Sequence, residues 1–300
     1  MSPSIVLIAN RKSGQNSRDA EAVDRAMAAF GEIAEKVDWN PDNPISDAVD
    51  RALAKSPDIV VAAGGDGTVM AVAEAMLGKG VAMGVLPLGT FNFFARGLGL
   101  SENPEEAARQ IDQGTPHDIR IGTVNGKAFL NNASLGIYPA ILRERETVYS
   151  RWGRFRLAAH WSVVKTFLRF RKAMKVTITA NGETKEYRTA LVFVARSAYQ
   201  LDSFGIDGAE AIDKDNFAVL VTLAETRLAL FKMTARLVRG KPLRGKDYAL
   251  ISTPKAVIET RKRRNLLAFD GEKGRMDGPF TFEMSEQYLT IQLPPSHEDA

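Results

Sequence analysis

Apolar and polar positions along the chain fall into two textures. In the first, unbroken apolar runs alternate with stretches whose apolar residues recur every three or four positions. Residues 4–9 (with Ile5, Val6, Leu7 and Ile8), 59–63 and 81–86 are continuous apolar runs of strand length, as strands buried on both faces require. Residues 16–36 place Ala20, Val23, Ala26, Met27, Phe30 and Ile33 at helical spacing. Residues 37–39 read as a short strand. Residues 46–55, with Ser46 as the expected N-cap, and 68–77, closed by Gly78, read as helices, and so do 91–97 and 104–113. Strands alternating with helices predict a parallel sheet, and in such sheets ligands bind beyond the carboxyl ends of the strands. This texture defines a first domain over residues 1–114.

From residue 115 the pattern shifts to short alternating strands. Residues 119–124 and 128–134 flank Asn125-Gly126, and 175–180 and 184–194 flank Asn181-Gly182, both strong hairpin signals. Residues 217–223, 248–252, 256–260, 266–269, 280–284 and 289–293 read as further strands. The second domain, 115–300, is therefore expected to be mostly antiparallel β, interrupted by a long helix near 141–171. Along that helix Trp152, Phe155, Ala159, Val163, Phe167 and Phe170 form one apolar stripe. Leu157, Trp161, Val164 and Leu168 form a second stripe round the helix, beside basic residues. A helix apolar on two sides is either sandwiched in protein or turned toward lipid.

Composition narrows the classes. Three hundred residues with 45% hydrophobic content can bury a sizeable core, and the absence of cysteine removes disulfides, thiolate nucleophiles and cysteine-based zinc sites. Residues 1–10 read as a first strand and not as a signal peptide, and no run is long enough to span a membrane, so a cytoplasmic location is expected. The net charge of +4 is unevenly placed. Residues 143–172 hold nine Lys/Arg against two Glu, and residues 227–246 hold seven Lys/Arg and no acid. Such basic surfaces attract anionic lipid, nucleotide or nucleic acid. No nucleic-acid recognition motif accompanies them, so nucleic acid is not an expected partner. A homodimer is one expectation for the assembly. The three histidines are scattered and form no ligand set.

Chemistry concentrates in two loops, each placed after an apolar strand and opening into a helix: Gly64-Gly65-Asp66-Gly67-Thr68 and Pro87-Leu88-Gly89-Thr90-Phe91-Asn92. Glycine lets backbone N–H groups approach an anion, and the helix N-terminus adds partial positive charge. Two such turns side by side can hold a nucleotide. Asp66 is unusual there, since a carboxylate repels phosphate unless it works through Mg²⁺ or a positioned hydroxyl. No Walker A pattern, G-x-G-x-x-G or protein-kinase signature is present.

These loops, read as G-G-D-G-T followed by P-L-G-T-x-N-x-x-A-R, resemble the catalytic domain of the diacylglycerol kinase and sphingosine kinase superfamily, above all its bacterial lipid kinases. Asn10-Arg11-Lys12-Ser13-Gly14 is similar to the family's first-strand loop, with Arg11 in place of proline. Asn132-Ala133-Ser134-Leu135-Gly136 is similar to its N-x-x-S-x-G strand, and Asp270-Gly271-Glu272 to its late D-G-E motif.

The resemblance implies a Rossmann-like α/β nucleotide domain followed by an antiparallel β-sandwich domain. It implies ATP and Mg²⁺ as cofactors and a lipid hydroxyl, diacylglycerol-like, as acceptor at a membrane surface, hence a peripherally membrane-associated enzyme. Asn10, Gly64, Gly65, Gly67, Thr68, Gly89, Thr90 and Asn92 would contact the nucleotide. Glu272 would be the general base, with Asp270 beside it, and Asp66 would hold Mg²⁺ or its water; in sphingosine kinases the loop acid is itself regarded as the base, so that division stays open. NAD kinases share G-G-D-G-T but not the second loop. A non-catalytic nucleotide or lipid sensor on the same fold is the alternative from another class. Two departures stand out. Phe93 replaces an acid of the family pattern. The segment where bacterial members hold a structural Mg²⁺ reads Asp213-Lys214-Asp215-Asn216-Phe217-Ala218-Val219, with Lys214 and Ala218 where acids would fall, leaving Asp213 and Asp215 as its metal-ligand candidates.

Overall fold

The computed structural model describes residues 3–10, 21–137, 173–270 and 272–294. It divides into two compact units, one made of Met1–Ile121 with Ser285–Ala300 and the other of Gly122–Met284.

The first unit is built on a six-stranded sheet in the order β2-β1-β3-β4-β18-β5. Strands β1 (Ile5–Asn10), β2 (Ala34–Trp39), β3 (Ile59–Gly64) and β4 (Ala82–Pro87) pair in parallel. Every residue of β3 and β4 is buried, which explains why these strands are continuous apolar runs and not alternating ones. Helices α1 (Ala22–Phe30), α2 (Ile45–Leu53), α3 (Asp66–Met76), α4 (Phe93–Gly97) and α5 (Pro104–Asp112) accompany them. At α5 the Asn103 side chain accepts from the Glu106 N–H at 3.0 Å, and Pro104 at the first helical position lacks the N–H that would go unpaired there.

Three local expectations change. The helix anticipated to Lys36 ends at Phe30, and after a single 3₁₀ turn residues from Ala34 pair with Ile5 onward, because the ladder to β1 outweighs helical periodicity. Pro44, not Ser46, stands at the N-cap of α2. The third concerns residues that the pattern grouped with the second half. β5 (Thr115–Ile119) and β18 (Leu289–Leu293) complete the first sheet, β18 lying parallel to β4 and antiparallel to β5.

The second unit holds two antiparallel sheets among the described residues. One runs β10-β9-β14-β17-β6-β7, with β6 (Gly122–Val124), β7 (Lys127–Phe129), β9 (Met174–Ala180), β10 (Glu183–Thr189), β14 (Lys255–Thr260) and β17 (Phe280–Met284). The other runs β13-β12-β11-β8-β15-β16, with β8 (Asn132–Gly136), β11 (Leu191–Ala195), β12 (Phe217–Thr222), β13 (Tyr248–Thr253), β15 (Arg264–Phe269) and β16 (Glu272–Asp277). Alternate residues of both sheets meet in one core in which the Phe129 ring lies 5.9 Å from Phe217 and 6.2 Å from Phe282.

Both hairpin turns form as read: Asn125 and Gly126, and Asn181 and Gly182, all have positive φ. The single strand expected over 184–194 breaks at Ala190, where the chain passes from one sheet to the other. Thr189 fixes that crossing: its hydroxyl is shared with Thr222 Oγ1 at 2.9 Å and lies 2.8 Å from the Leu191 carbonyl.

The outer face of the β12 sheet is covered by α6 (Ala198–Ser203), α7 (Ala209–Asp213) and α8 (Arg227–Val238), with Leu201, Ala211, Ala218, Leu220 and Tyr248 packed together. Among the described residues no helix is long and apolar enough to cross a membrane. The helix expected near 141–171, with both its apolar stripes, lies outside the described residues.

Candidate active site

In the first unit the two glycine loops leave adjacent strands, β3 and β4, at the same edge, and they touch. The Leu88 N–H donates to the Gly64 carbonyl at 2.9 Å. A Cβ on Gly89 would lie 2.6 Å from Gly65 Cα and 2.7 Å from Asn92 Oδ1, so only glycine fits where the loops cross. Gly65 caps α3, and Asp66, Gly67 and Thr68 form its first turn, where backbone N–H groups have no partner within the helix. Gly67 is exposed there, and so are Gly89 and Thr90. Thr68 is buried beneath the loop: a Cβ on Gly64 would meet its side chain at 2.6 Å.

Asp66 is half-buried, and its Oδ1 accepts from the Phe94 N–H at 3.4 Å. Burial raises its carboxyl above the ordinary range, and the backbone N–H groups of Phe94, Asn92 and Phe93 oppose that rise. The acid of the first loop therefore faces the N-terminus of the helix that follows the second. This placement accounts for a carboxylate in a loop otherwise suited to phosphate.

Asn92 serves the loop itself. It is buried with a left-handed backbone, accepts from the Gly89 N–H at 2.8 Å and donates to the Gly89 carbonyl at 3.1 Å. It also donates to Glu102 at 3.3 Å, and Glu102 pairs with Arg96 at 2.5 Å. The Phe93 ring, at the position where the family pattern has an acid, stacks on the Phe91 ring at 5.6 Å. Asn10 ends β1, and residues 11–14 of the first-strand loop lie outside the described residues.

In the second unit Asp270 follows β15 with φ of 46°. Its carboxylate accepts from three consecutive backbone N–H groups: Leu130 at 2.5 Å, Asn131 at 2.8 Å and Asn132 at 3.1 Å. The Asp270 N–H in turn donates to the Asn132 carbonyl at 3.0 Å. The D-G-E turn and the N-x-x-S-x-G strand, read as separate motifs, are thus one constellation. Glu272 opens β16 opposite Phe269 and is exposed. Sequence reasoning missed Gln200, which accepts from Asn132 Nδ2 at 3.0 Å. Three buried oxygens on this segment, Asn131 Oδ1, Asn132 Oδ1 and Ser134 Oγ, have no hydrogen-bond partner among the described residues. The polar residues on an otherwise apolar strand were the signal for them.

Of the two metal-ligand candidates, Asp213 ends α7 and Asp215 follows it with a positive φ, paired to an arginine. Arg196 donates to Asp215 at 2.5 Å, so a guanidinium occupies the place beside that carboxylate. Among the described residues no three acidic or histidine side chains gather as a metal cluster.

Comparison with known proteins agrees with the motifs. Residues 4–124 match the family model of the diacylglycerol kinase catalytic domain. A Pseudomonas aeruginosa protein named as a probable lipid kinase, YegS-like, is 41% identical over 134 residues, 44% of this chain and 44% of that protein. A Chromohalobacter salexigens protein of the same name is 36% identical over 137 residues, 43% of each. The aligned stretch thus spans less than half the length of these curated relatives. A crystal structure of a diacylglycerol kinase from Bacillus anthracis superposes with a TM-score of 0.70 over 99% of both chains at 21% identity, a likeness of fold. Together the matches bear out the resemblance to the diacylglycerol kinase superfamily.

Proposed function

We propose that this chain is an ATP-dependent lipid kinase that moves the γ-phosphoryl group to a lipid hydroxyl, with a diacylglycerol-like acceptor met at a membrane surface. The observation that carries this reading is the contact between the two glycine loops at one edge of the parallel sheet, inside the stretch matched to the catalytic domain. Backbone N–H groups at Gly67 and at exposed Thr90, just past Gly89, suit the phosphates of a nucleotide. Mg²⁺ carried with ATP would neutralise phosphate charge, and Asp66 is the loop carboxylate able to hold an ion that keeps most of its waters.

The acceptor hydroxyl loses its proton as its oxygen bonds to the γ-phosphorus and the bond to ADP breaks. Glu272, exposed at the start of a strand, suits that proton better than Asp270, whose oxygens already accept three N–H groups. Asp270 then acts by positioning the turn. A lipid acceptor is supported by an apolar cavity of about 260 Å³ on the outer face of the β12 sheet, lined in part by Leu191, Phe193, Leu201, Phe204 and Leu220.

Incubation with radiolabelled ATP, Mg²⁺ and total lipid extract, resolved by thin-layer chromatography, tests the reading. A labelled lipid spot is expected with the native protein and not with Glu272→Gln. ATP binding without transfer to any lipid would overturn it in favour of a sensor.

A further inference from the structure

Helix α8 has two apolar sides. One is accounted for: Leu230 is fully buried, with Ala229 and Met233 packed in the same cluster, and Met233 and Leu237 line the apolar cavity. The other faces outward. Leu228 is 65% exposed, Phe231 61% and Val238 82%, three of the largest exposures among the described large apolar side chains. At about 100° per residue Leu228, Phe231, Ala235 and Val238 fall within an arc of about 80°. Arg227 borders that arc on one side, and Lys232 and Arg239 border it on the other. The helix is anchored by Thr226, whose side chain accepts from the Ala229 N–H at 3.2 Å. Beyond it the chain continues with exposed Leu243 and with Lys241, Arg244 and Lys246.

An apolar strip of this kind on a solvent-facing helix costs solubility unless something covers it. Its charge selects the occupant: residues 227–246 carry seven Lys/Arg and no acid. One of these cations, Arg236, is committed inward to the buried Asp247, which leaves the basic character of the outer face to the others. Apolar side chains centred between cations match a bilayer interface, where rings and alkyl groups enter the headgroup boundary and Lys/Arg meet anionic phosphates. The hydroxylated lipid acceptor lies in such a surface, and the choice of occupant rests in that respect on the lipid-kinase reading.

We infer that the outer face of α8, with Phe231 at its centre, docks the protein on an anionic phospholipid bilayer. Vesicles of phosphatidylglycerol in phosphatidylcholine, compared with pure phosphatidylcholine, are the probe, and co-sedimentation of the full chain is the readout. The native protein is expected to partition onto the anionic vesicles only. Phe231→Glu should weaken that partition about tenfold or more. Lys232→Glu and Arg239→Glu should each weaken it about fivefold and flatten its dependence on anionic lipid.

Thermal unfolding of each variant, expected to match the native protein, separates lost docking from lost folding. Asp66→Asn is expected to bind vesicles normally, so a failed kinase assay and a failed docking assay are distinct results. Native protein that ignores anionic vesicles, or binding indifferent to all three α8 substitutions, would overturn the inference. So would a dimer that Phe231→Glu dissociates while vesicle binding is unchanged, since the strip would then belong to a second copy of this chain.

Discussion

Asp66 and Asp270 employ one device to different degrees. Each is an acid at a turn that accepts backbone N–H groups from a segment distant in sequence. Asp270 accepts three, between 2.5 and 3.1 Å, and by doing so fixes the turn to β8. At Asp66 the Phe94 N–H stands at 3.4 Å, longer than an ordinary N–H···O bond, the N–H groups of Asn92 and Phe93 also turn toward the carboxylate, and burial still raises its carboxyl. A carboxylate whose lone pairs are filled by short bonds is a structural pin. A half-buried carboxylate whose donors leave its carboxyl raised keeps the capacity to bind or to take a proton. Motif matching weights the two equally; geometry does not.

The comparison breaks first at activity. Asp66→Asn is expected to lower phosphoryl transfer by about 10²- to 10⁴-fold while the melting temperature stays level or rises. Near-native turnover would remove Asp66 from the chemistry.

Asp270→Ala is expected to act on folding, costing about 3 kcal/mol or more, because three N–H groups lose a charged acceptor. Asp270→Asn, which keeps one acceptor oxygen, should fall between. Denaturant melts read both. Full stability with lost activity in the alanine variant would make Asp270 the chemical group and reverse the assignment.

A smaller effect follows from titration. With its carboxyl raised in the folded state, Asp66 binds its proton more tightly folded than unfolded. The native protein should therefore lose stability as pH rises from the ordinary carboxylate range through the raised value. That loss of stability with rising pH should be missing from Asp66→Asn. An identical pH profile in the two proteins would contradict the burial of Asp66.

The smallest expected effect is none. Asp215, another acid with positive φ, is paired with Arg196, so chelator should leave the melting temperature unchanged. A fall of several degrees would reveal a structural cation held beside that pair.

What the sequence disclosed depended on how local the cause was. β3 and β4 were legible because burial on both faces leaves an unbroken apolar run, and the hairpins because a positive φ at two successive positions demands Asn-Gly. The glycine loops were legible for a similar reason, since no Cβ fits where they cross. The sheet switch at Ala190 was not, because it rests on Thr189 reaching Thr222, a contact with no sequence spacing to announce it. The same holds for Asn92. Its amide could equally have met a ligand, and only the structure shows it closing the turn on Gly89.

One feature of the first sheet governs the order in which the protein can assemble. Among the described strands β5 pairs only with β18, and β18 supplies the second neighbour of β4. During synthesis the first 121 residues emerge with β4 unpaired on one side and β5 without any partner, and they remain so until every residue of the second unit has left the ribosome. An open strand edge invites pairing with other chains, so the half that carries the glycine loops is vulnerable for the whole of that interval. Its maturation is set by the arrival of five residues, Leu289–Leu293. A fragment cut at the boundary of the sequence textures would lack them and would be expected to aggregate rather than fold.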